Sequence, residues 1–164
     1  MIHYYFGDGK GKTSAAVGAC ARAAGAGFRC AFAQFHKSGS SSEVKMLEKI
    51  GADIYAVGDK AKFYKDMNEE EKILISAIHN ENLRHLISIK YDFIVLDELG
   101  DAVLRNTADT DIVRKLLEKP DCEIIITGHK SVEMFIDAAD YLTEFRCLAH
   151  PYKKGIKARR GIEF

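Results

Sequence analysis

The residues with the clearest capacity for chemistry are "GDGKGKTS", Gly7 to Ser14, between the apolar "IHYYF" and an alanine-rich run. Glycines followed by Gly-Lys-Thr, between a strand and a helix, are typical of a phosphate-binding loop with the spacing G-x-x-x-x-G-K-[ST]. Here the first available glycine is Gly7, so the loop reads G-x-x-x-G-K-T and is one residue short. The pattern therefore predicts a polyphosphate site of unusual length.

Each part of this loop has an expected role. Its glycines let the backbone turn so that successive N–H groups point inward, and the helix from Thr13 adds its positive end. Lys12 would donate to phosphate oxygens, and the Thr13 hydroxyl would ligate magnesium. Asp8 and Lys10 are either part of the site or solvated loop residues, and an ordinary glycine-rich turn is the alternative for the whole segment. The predicted nucleotide-binding residues are Gly7, Asp8, Gly9, Lys10, Gly11, Lys12, Thr13 and Ser14.

A second group of candidate residues closes the apolar run in "YDFIVLDELG", where Asp97 and Glu98 follow a predicted strand. Magnesium prefers carboxylate and hydroxyl oxygens, so one of these acids is expected to hold the ion directly or through water. The predicted metal-binding residues are Thr13, Asp97 and Glu98, and the predicted catalytic residues are Lys12, Thr13 and Glu98. Alternatively, the two acids only cap the next helix. The residues indicate nucleotide binding and leave hydrolysis, phosphoryl transfer and other transfers open.

The elements that must position these residues alternate along the chain. Predicted strands cover Ile2–Phe6, Arg29–Phe35, Asp53–Val57, Phe93–Asp97, Cys122–Thr127 and Tyr141–Arg146. Predicted helices cover Thr13–Ala24, Ser42–Ile50, Asn68–Ile89, Asp109–Lys119 and Ser131–Ala138. Near-continuous apolar runs such as "FIVLD" indicate strands that are covered on both faces. The expected fold is an α/β P-loop NTPase-like domain with a mainly parallel, doubly wound sheet, and a ligand site at the carboxyl ends of its strands.

Length and composition narrow the possible classes. The chain has 164 residues, 47% of them apolar, which predicts one domain over residues 1–164. Its formal net charge of zero offers no general attraction for nucleic acid or an anionic membrane. We find neither a membrane-spanning run nor a signal peptide pattern, so a cytosolic location is expected. The cysteines are far apart and without a C-x-x-C pattern, which favours buried free thiols over a zinc site or disulfides.

Several motifs together resemble one family, the corrinoid adenosyltransferases with a P-loop. The family's short loop G-N-G-K-G-K-[ST] matches "GDGKGKTS", and its ending G-[IV]-K-A-x-x-G-I-[ED]-[FY] matches "GIKARRGIEF" at residues 155–164. Weaker matches are "AQFHKSG" to V-Q-F-x-K-G, "IVLDEL" and "IIITG". The resemblance spans nearly the whole chain.

This resemblance implies transfer of the 5′-deoxyadenosyl group of ATP to reduced cobalt, with release of tripolyphosphate and with ATP reversed along the loop. Cobalt(I) is itself a strong nucleophile, so the reaction needs positioning and a stabilised leaving group rather than a base. The implied ligands are ATP, Mg²⁺ and a corrinoid such as cobalamin or cobinamide. A flavoprotein reductant and a homodimer are implied as well. Competing functions are a P-loop ATPase or phosphotransferase, and a nucleotide-sensing protein without corrinoid activity.

The chain also departs from the family pattern. Enterobacterial-type members have an amino-terminal extension and an aromatic G-F-T-W stretch, whereas this chain enters its first strand at Ile2 and has "DKAKFYKD" after Gly58. There Phe63 and Tyr64 either replace the aromatic stretch or are packing residues. His129 replaces an arginine and either contacts a ligand or lies in a surface loop. The basic tail either folds back near the nucleotide, lines a dimer contact or is solvated; its basic residues are Lys153, Lys154, Lys157, Arg159 and Arg160.

Overall fold

A six-stranded parallel sheet forms the centre of the molecule. The computed structural model describes residues 1–118 and 121–162. The strands are β1 (Ile2–Phe6), β2 (Cys30–Gln34), β3 (Asp53–Tyr55), β4 (Phe93–Asp97), β5 (Glu123–Gly128) and β6 (Tyr141–Glu144). Their order in the sheet is β3-β2-β4-β5-β1-β6. The predicted α/β fold with a parallel sheet is confirmed, and every predicted strand is present.

Helices cover both faces of this sheet. They are α1 (Lys12–Gly25), α2 (Ser42–Lys49), α3 (Glu69–Ser88), α4 (Leu99–Leu104), α5 (Thr110–Leu117) and α6 (Glu133–Ala138). Short 3₁₀ turns lie at Gly58–Lys60, Tyr64–Asp66 and Pro151–Lys154. All five predicted helices are present, although Lys119, the predicted end of α5, lies outside the described residues. Helix α3 begins with a capping box, because Asn68 and Glu71 each accept the other's backbone N–H.

Helix α4 was missed from the sequence. It begins directly after the acidic pair at the end of β4 and is only six residues long. Only the two acids separate it from the apolar run of β4, and six residues are too few to show a helical period. Glu98 makes the turn between the two elements with a φ of 63°. This left-handed conformation is uncommon outside glycine and often marks a functional site.

Alternating side chains of the strands build one core on each face. In β4, Phe93 and Val95 pack with α1 and α2, whereas Ile94 and Leu96 pack with α3, α4 and α5. Such two-sided burial explains why the central strands are apolar throughout. Cys20 and Cys30 are buried free thiols as predicted, Cys122 is buried, and Cys147 is a free thiol that is only half-buried.

The strand order decides which residues meet at the carboxyl edge of the sheet. Strand β5 lies between β1, which carries the glycine loop, and β4, which carries the acidic pair. Thr127 near the end of β5 therefore lies between the two predicted halves of the site. Among the described residues, no helix combines the length and apolar content that crossing a membrane requires.

Candidate active site

A cleft of about 570 Å³ lies at the carboxyl edge of the sheet. Its walls include the loop from Asp8 to Ser14, and Lys37, Glu98 and His129 from the ends of β2, β4 and β5. The tail closes another side with His150, Gly161 and Ile162. Most of the predicted site residues thus share one cavity. Gly7 and Asp97 lie behind its surface, and Asp97 is fully buried.

The glycines of the loop allow a close approach of the segment that follows β6. Gly9 donates its N–H to the Phe145 carbonyl at 2.8 Å. A Cβ atom at Gly7 would overlap the Phe145 carbonyl oxygen, and one at Gly9 would lie 2.7 Å from the Phe145 carbonyl carbon. The sequence interpretation assigned these glycines to inward-facing N–H groups. In the structure the Gly9 N–H is directed to Phe145, so backbone packing is a further reason for glycine.

Lys12 is buried at the start of α1 and its ammonium turns back onto the loop. The Nζ atom donates to the carbonyls of Gly7 and Gly9 at 2.7 and 2.8 Å. Burial lowers the pKa of Lys12, although Asp101 and other nearby acids oppose this change. The ammonium therefore lies at the wall of the cleft, bonded to two neutral acceptors. A phosphate oxygen is a stronger acceptor for this group than a carbonyl.

Asp97 organises the floor of the cleft. Its Oδ1 atom accepts from the hydroxyls of Thr13 and Thr127 at 2.8 and 2.9 Å. Its Oδ2 atom accepts from Lys37 at 2.8 Å and from Gln34 at 3.4 Å. Both carboxylate oxygens are thus engaged by protein donors. This arrangement makes Asp97 a residue that holds Thr13 and Lys37 in position.

Lys37 links the two acids of the predicted metal site. Its Nζ atom lies 2.8 Å from Asp97 and 3.0 Å from Glu98, and about a third of its side chain is exposed to the cleft. Burial alone would lower the pKa of Lys37, but the two carboxylates outweigh burial and raise it. Sequence reasoning gave Lys37 no role of its own. The signal was its place in "AQFHKSG", two residues beyond the Phe35 end of a predicted strand.

His129 and Asp101 form a second charged pair at the cleft. Asp101 Oδ2 accepts from both the backbone N–H and the Nδ1 atom of His129 at 3.0 Å. Its hydrogen bond with Asp101 raises the pKa of His129, and the same contacts lower the pKa of Asp101 despite its burial. The contact with Asp101 thus favours the protonated form of the imidazole at the cleft wall. Asp101 and Thr127 were not predicted as site residues, although Asp101 lies three residues after Glu98 and Thr127 lies within "IIITG".

The hard oxygen donors of the cleft suit magnesium. The Thr13 hydroxyl is oriented by Asp97, and Glu98 reaches the cleft with about a fifth of its side chain exposed. Magnesium is commonly held by one or two such protein oxygens together with phosphates and water. These residues therefore fit the ion, with Thr13 and Glu98 as its candidate ligands and Asp97 behind them.

The tail folds back onto the loop. Asp8 Oδ1 accepts from the Cys147 N–H at 3.0 Å, and Lys10 Nζ donates to the Ile162 carbonyl at 2.9 Å. Asp8 and Lys10, which the sequence left open as site or solvated residues, thus connect the loop to residues beyond β6. The described basic tail residues are solvent-exposed. Residues 163 and 164, which complete the tail motif, lie outside the described residues.

The two aromatic residues after Gly58 differ in their surroundings. Phe63 is 78% exposed. Tyr64 packs edge-on against His36, with ring centroids 5.8 Å apart, and its hydroxyl donates to the Arg105 carbonyl at 3.4 Å. Tyr64 is thus a packing residue, whereas the Phe63 ring is mostly exposed, with the Lys65 ammonium 5.9 Å from its centroid.

Comparison with known proteins supplies the family. All residues, 1–164, match the family described as "ATP:corrinoid adenosyltransferase BtuR/CobO/CobP". The chain belongs to this ATP:corrinoid adenosyltransferase family. It is 31% identical to the corrinoid adenosyltransferase of Sinorhizobium sp., covering 96% of this chain and 77% of that protein. It is also 30% identical to corrinoid adenosyltransferase CobA of Salmonella typhimurium and 29% identical to the Escherichia coli K12 enzyme. Each of these matches covers 100% of this chain and 85% of the relative.

In this member of the ATP:corrinoid adenosyltransferase family, the cleft is lined by three lysines and by a histidine whose pKa is raised: Lys10, Lys12, Lys37 and His129. Thr13 and Glu98 add oxygen ligands for a metal. The residues named from the sequence therefore converge in space, while their individual roles stay predictions.

Proposed function

We propose that this protein transfers the 5′-deoxyadenosyl group of magnesium-ATP to the cobalt of a reduced corrinoid and releases tripolyphosphate. The observation that carries the proposal is the shortened loop itself, which lines one cleft with Lys37, Glu98 and His129 in a chain of the adenosyltransferase family. A triphosphate brings several negative charges to a site with cationic side chains on three sides. Such a site favours a leaving group that stays intact.

The reaction forms a cobalt–carbon bond and breaks the bond between C5′ and the first phosphate oxygen. Cobalt(I) donates the electron pair, and the departing oxygen keeps the pair of the broken bond, so no proton moves. Stabilising the leaving group in a preorganised site is then the main demand on the protein. This demand agrees with a cleft rich in ammonium groups.

Named residues divide this work. Lys12 exchanges its loop carbonyls for a phosphate oxygen, and His129 offers its Nε2–H to the same chain of phosphates. Lys37 offsets one of the two negative charges of Asp97 and Glu98, so that the two acids repel the triphosphate less. Thr13 and Glu98 would hold magnesium, which when bound further lowers the negative charge of the phosphates. The remaining task, positioning of C5′ against cobalt, depends on how the two substrates lie together.

The corrinoid and the partners are proposed from the exposed Phe63 and from the family resemblance. Phe63, open to solvent beyond β3, is an apolar group available to a corrin ring. A flavoprotein that supplies electrons to cobalt, a homodimer and a cytosolic location follow from the family resemblance and remain predictions. Cobalamin and cobinamide are both candidate acceptors.

Product analysis tests the proposal. The protein is incubated without oxygen with magnesium-ATP and chemically reduced cobalamin, and phosphates and corrinoids are quantified. We expect a photolabile adenosylated corrinoid and tripolyphosphate in equal amounts, each dependent on the other substrate. ADP as the dominant product without corrinoid would instead establish an ATPase or phosphotransferase. ATP binding with neither product, for cobalamin and cobinamide alike, would establish a nucleotide-sensing protein.

A further inference from the structure

A buried histidine on α3 lies behind the phosphate site. His79 is fully buried. Its Nδ1 atom is 3.2 Å from the carbonyl of Thr107, an acceptor, so Nδ1 carries the proton. Its Nε2 atom therefore has a free electron pair, and this atom accepts the backbone N–H of His36 at 3.0 Å. The two contacts define one neutral tautomer that joins α3 to the end of β2 and to the segment before α5.

The residue that His79 holds has an unusual backbone. His36 has a φ of 59°, a left-handed conformation that side chains with a Cβ disfavour. Its ring is also held, since Thr107 donates its hydroxyl to the Ala102 carbonyl and can accept from His36 Nε2 at 3.1 Å. In that state His36 Nδ1 is a buried acceptor without a hydrogen-bond partner among the described residues. A left-handed backbone and a buried acceptor without a partner both cost stability, so packing alone does not explain them.

The backbone on both sides of His36 is fixed as well. The Phe35 N–H donates to the Asp97 carbonyl at 2.9 Å, and the Lys37 carbonyl accepts from Val57 at 3.0 Å. Residue 36 is thus the turn between two anchored residues. Its conformation decides the direction in which the Lys37 side chain leaves the backbone, and that side chain reaches Asp97 and Glu98.

We propose that His79 is a positioning residue: by accepting the His36 N–H it holds the left-handed turn that directs the Lys37 ammonium to the acids of the phosphate site. The inference rests on the proposed function only in that ATP binding reports the position of Lys37. His79 itself is fully buried and does not line the cleft. This role requires a hydrogen-bond acceptor at the Nε2 position, because the turn is held by the His36 N–H that donates to this atom.

A double-mutant cycle tests this role. Magnesium-ATP affinity is measured by calorimetry for the wild type, His79→Leu, Lys37→Met and the double variant. We expect each single change to weaken binding by about tenfold, the size of one lost charged contact. In the Lys37→Met background, His79→Leu should change affinity by less than about twofold, because coupled residues are not additive. His85→Leu, an exposed change on the same helix, is the control and should leave affinity unchanged.

A conservative variant separates positioning from simple core packing. His79→Gln places a carbonyl oxygen near the Nε2 position and an amide donor toward Thr107, so it should restore affinity to within about threefold of the wild type. Thr107→Val, which removes the partner of the His36 ring, should weaken binding and again show no added effect with Lys37→Met. This second cycle, Thr107→Val with Lys37→Met, tests the same inference if His79→Leu does not fold.

The outcomes separate the inference from the proposed function. Equal losses caused by His79→Leu in both Lys37 backgrounds, or no loss at all, would overturn the positioning role while wild-type ATP binding stands. A glutamine variant as weak as the leucine variant would also contradict it. A wild-type protein that binds no magnesium-ATP would refute the proposed function instead.

Discussion

At the scale of single residues, the site is a set of charges satisfied by the protein itself. Lys12 donates to two carbonyls of its own loop, and Lys37 bridges two carboxylates. Binding of a triphosphate must therefore exchange existing contacts rather than fill free ones. For Lys12 the exchange favours phosphate, because a charged acceptor replaces a neutral one.

Lys12→Ala should accordingly weaken ATP binding by about tenfold to over a hundredfold, since a charge-assisted hydrogen bond contributes roughly 1.5–3 kcal/mol. Adenosyl transfer should be nearly abolished. Calorimetry with magnesium-ATP and product quantification measure the two effects. Lys45→Ala removes an exposed lysine from α2 and is the matched control. Unchanged affinity in the Lys12 variant would refute the phosphate-binding role.

Two histidines, the buried His79 and the partly buried His36, make stability depend on acid. Burial and the neighbouring His36 lower the pKa of His79 from 6.5 to about 3. Burial and Arg105 lower the pKa of His36 to about 4. As the pH falls below 6.5, these histidines become protonated in the unfolded chain but stay neutral in the folded chain. The stabilising effect of each neutral histidine is thus complete above 6.5 and is lost as the pH falls toward 4 and 3.

Stability should therefore fall more steeply with acid in the wild type than in His79→Gln. Between pH 6.5 and 4.5 the difference in the loss of unfolding free energy should be about 2 kcal/mol for one such histidine. Urea denaturation at the two pH values measures it. His129 carries a raised pKa and acts in the opposite sense, so His129→Gln should not flatten this acid slope. Parallel pH profiles of wild type and His79→Gln would show that His79 takes up protons while folded.

At the scale of elements, the loop and the segment after β6 form one unit. The order strand, glycines, Gly-Lys-Thr and helix predicted the loop and α1 from local residues alone. It did not predict that Gly9 donates to Phe145 or that Asp8 accepts from Cys147. These partners are more than 130 residues away in the chain, and no local pattern encodes such a pairing. The glycines of the loop are therefore required for packing against a distant segment as well as for the predicted phosphate binding.

Two glycine-to-alanine changes should have opposite effects. Gly9→Ala would place a Cβ atom 2.7 Å from Phe145 and 2.8 Å from the Arg146 nitrogen. Such overpacking should cost about 1–3 kcal/mol of stability and weaken ATP binding as the loop moves. Gly18→Ala lies within α1 with nothing within 4 Å of the new atom, and it should stabilise by about 0.5–1 kcal/mol. Thermal and urea denaturation compare the two. Equal effects would show that residues 145–146 do not confine the loop.

At the scale of the whole molecule, the parallel sheet could be predicted from the sequence. The order of its strands, and therefore which residues meet at its edge, could not. Apolar runs such as "FIVLD" and "EIIIT" gave strands, and the alternation with helices gave a parallel sheet. Strand order is not encoded in any one run, so the meeting of Thr127 with Asp97 appeared only in three dimensions. Lys37 and the tail were underestimated for the same reason. Their contacts with Asp97 and Lys10 join elements far apart in sequence.

The tail should contribute to ATP binding but little to the stability of the fold. Residues 151–162 are exposed and lie outside the hydrophobic cores, yet Gly161 and Ile162 form one wall of the cleft. A chain that stops after His150 should therefore keep its thermal unfolding temperature within about 2 °C, because little apolar surface is lost.

The same truncation should weaken magnesium-ATP binding by about threefold to tenfold, mainly through faster dissociation, since affinity changes at one site usually appear in the dissociation rate. Stopped-flow displacement of a fluorescent ATP analogue measures that rate. Lys10→Met, which removes the ammonium that donates to the Ile162 carbonyl, should reproduce part of the effect in the full chain and add little to it in the truncated one. A truncated protein that releases ATP at the wild-type rate would show that the tail contacts the loop without contributing to ATP binding. A large loss of thermal stability would show instead that the tail belongs to the folded core.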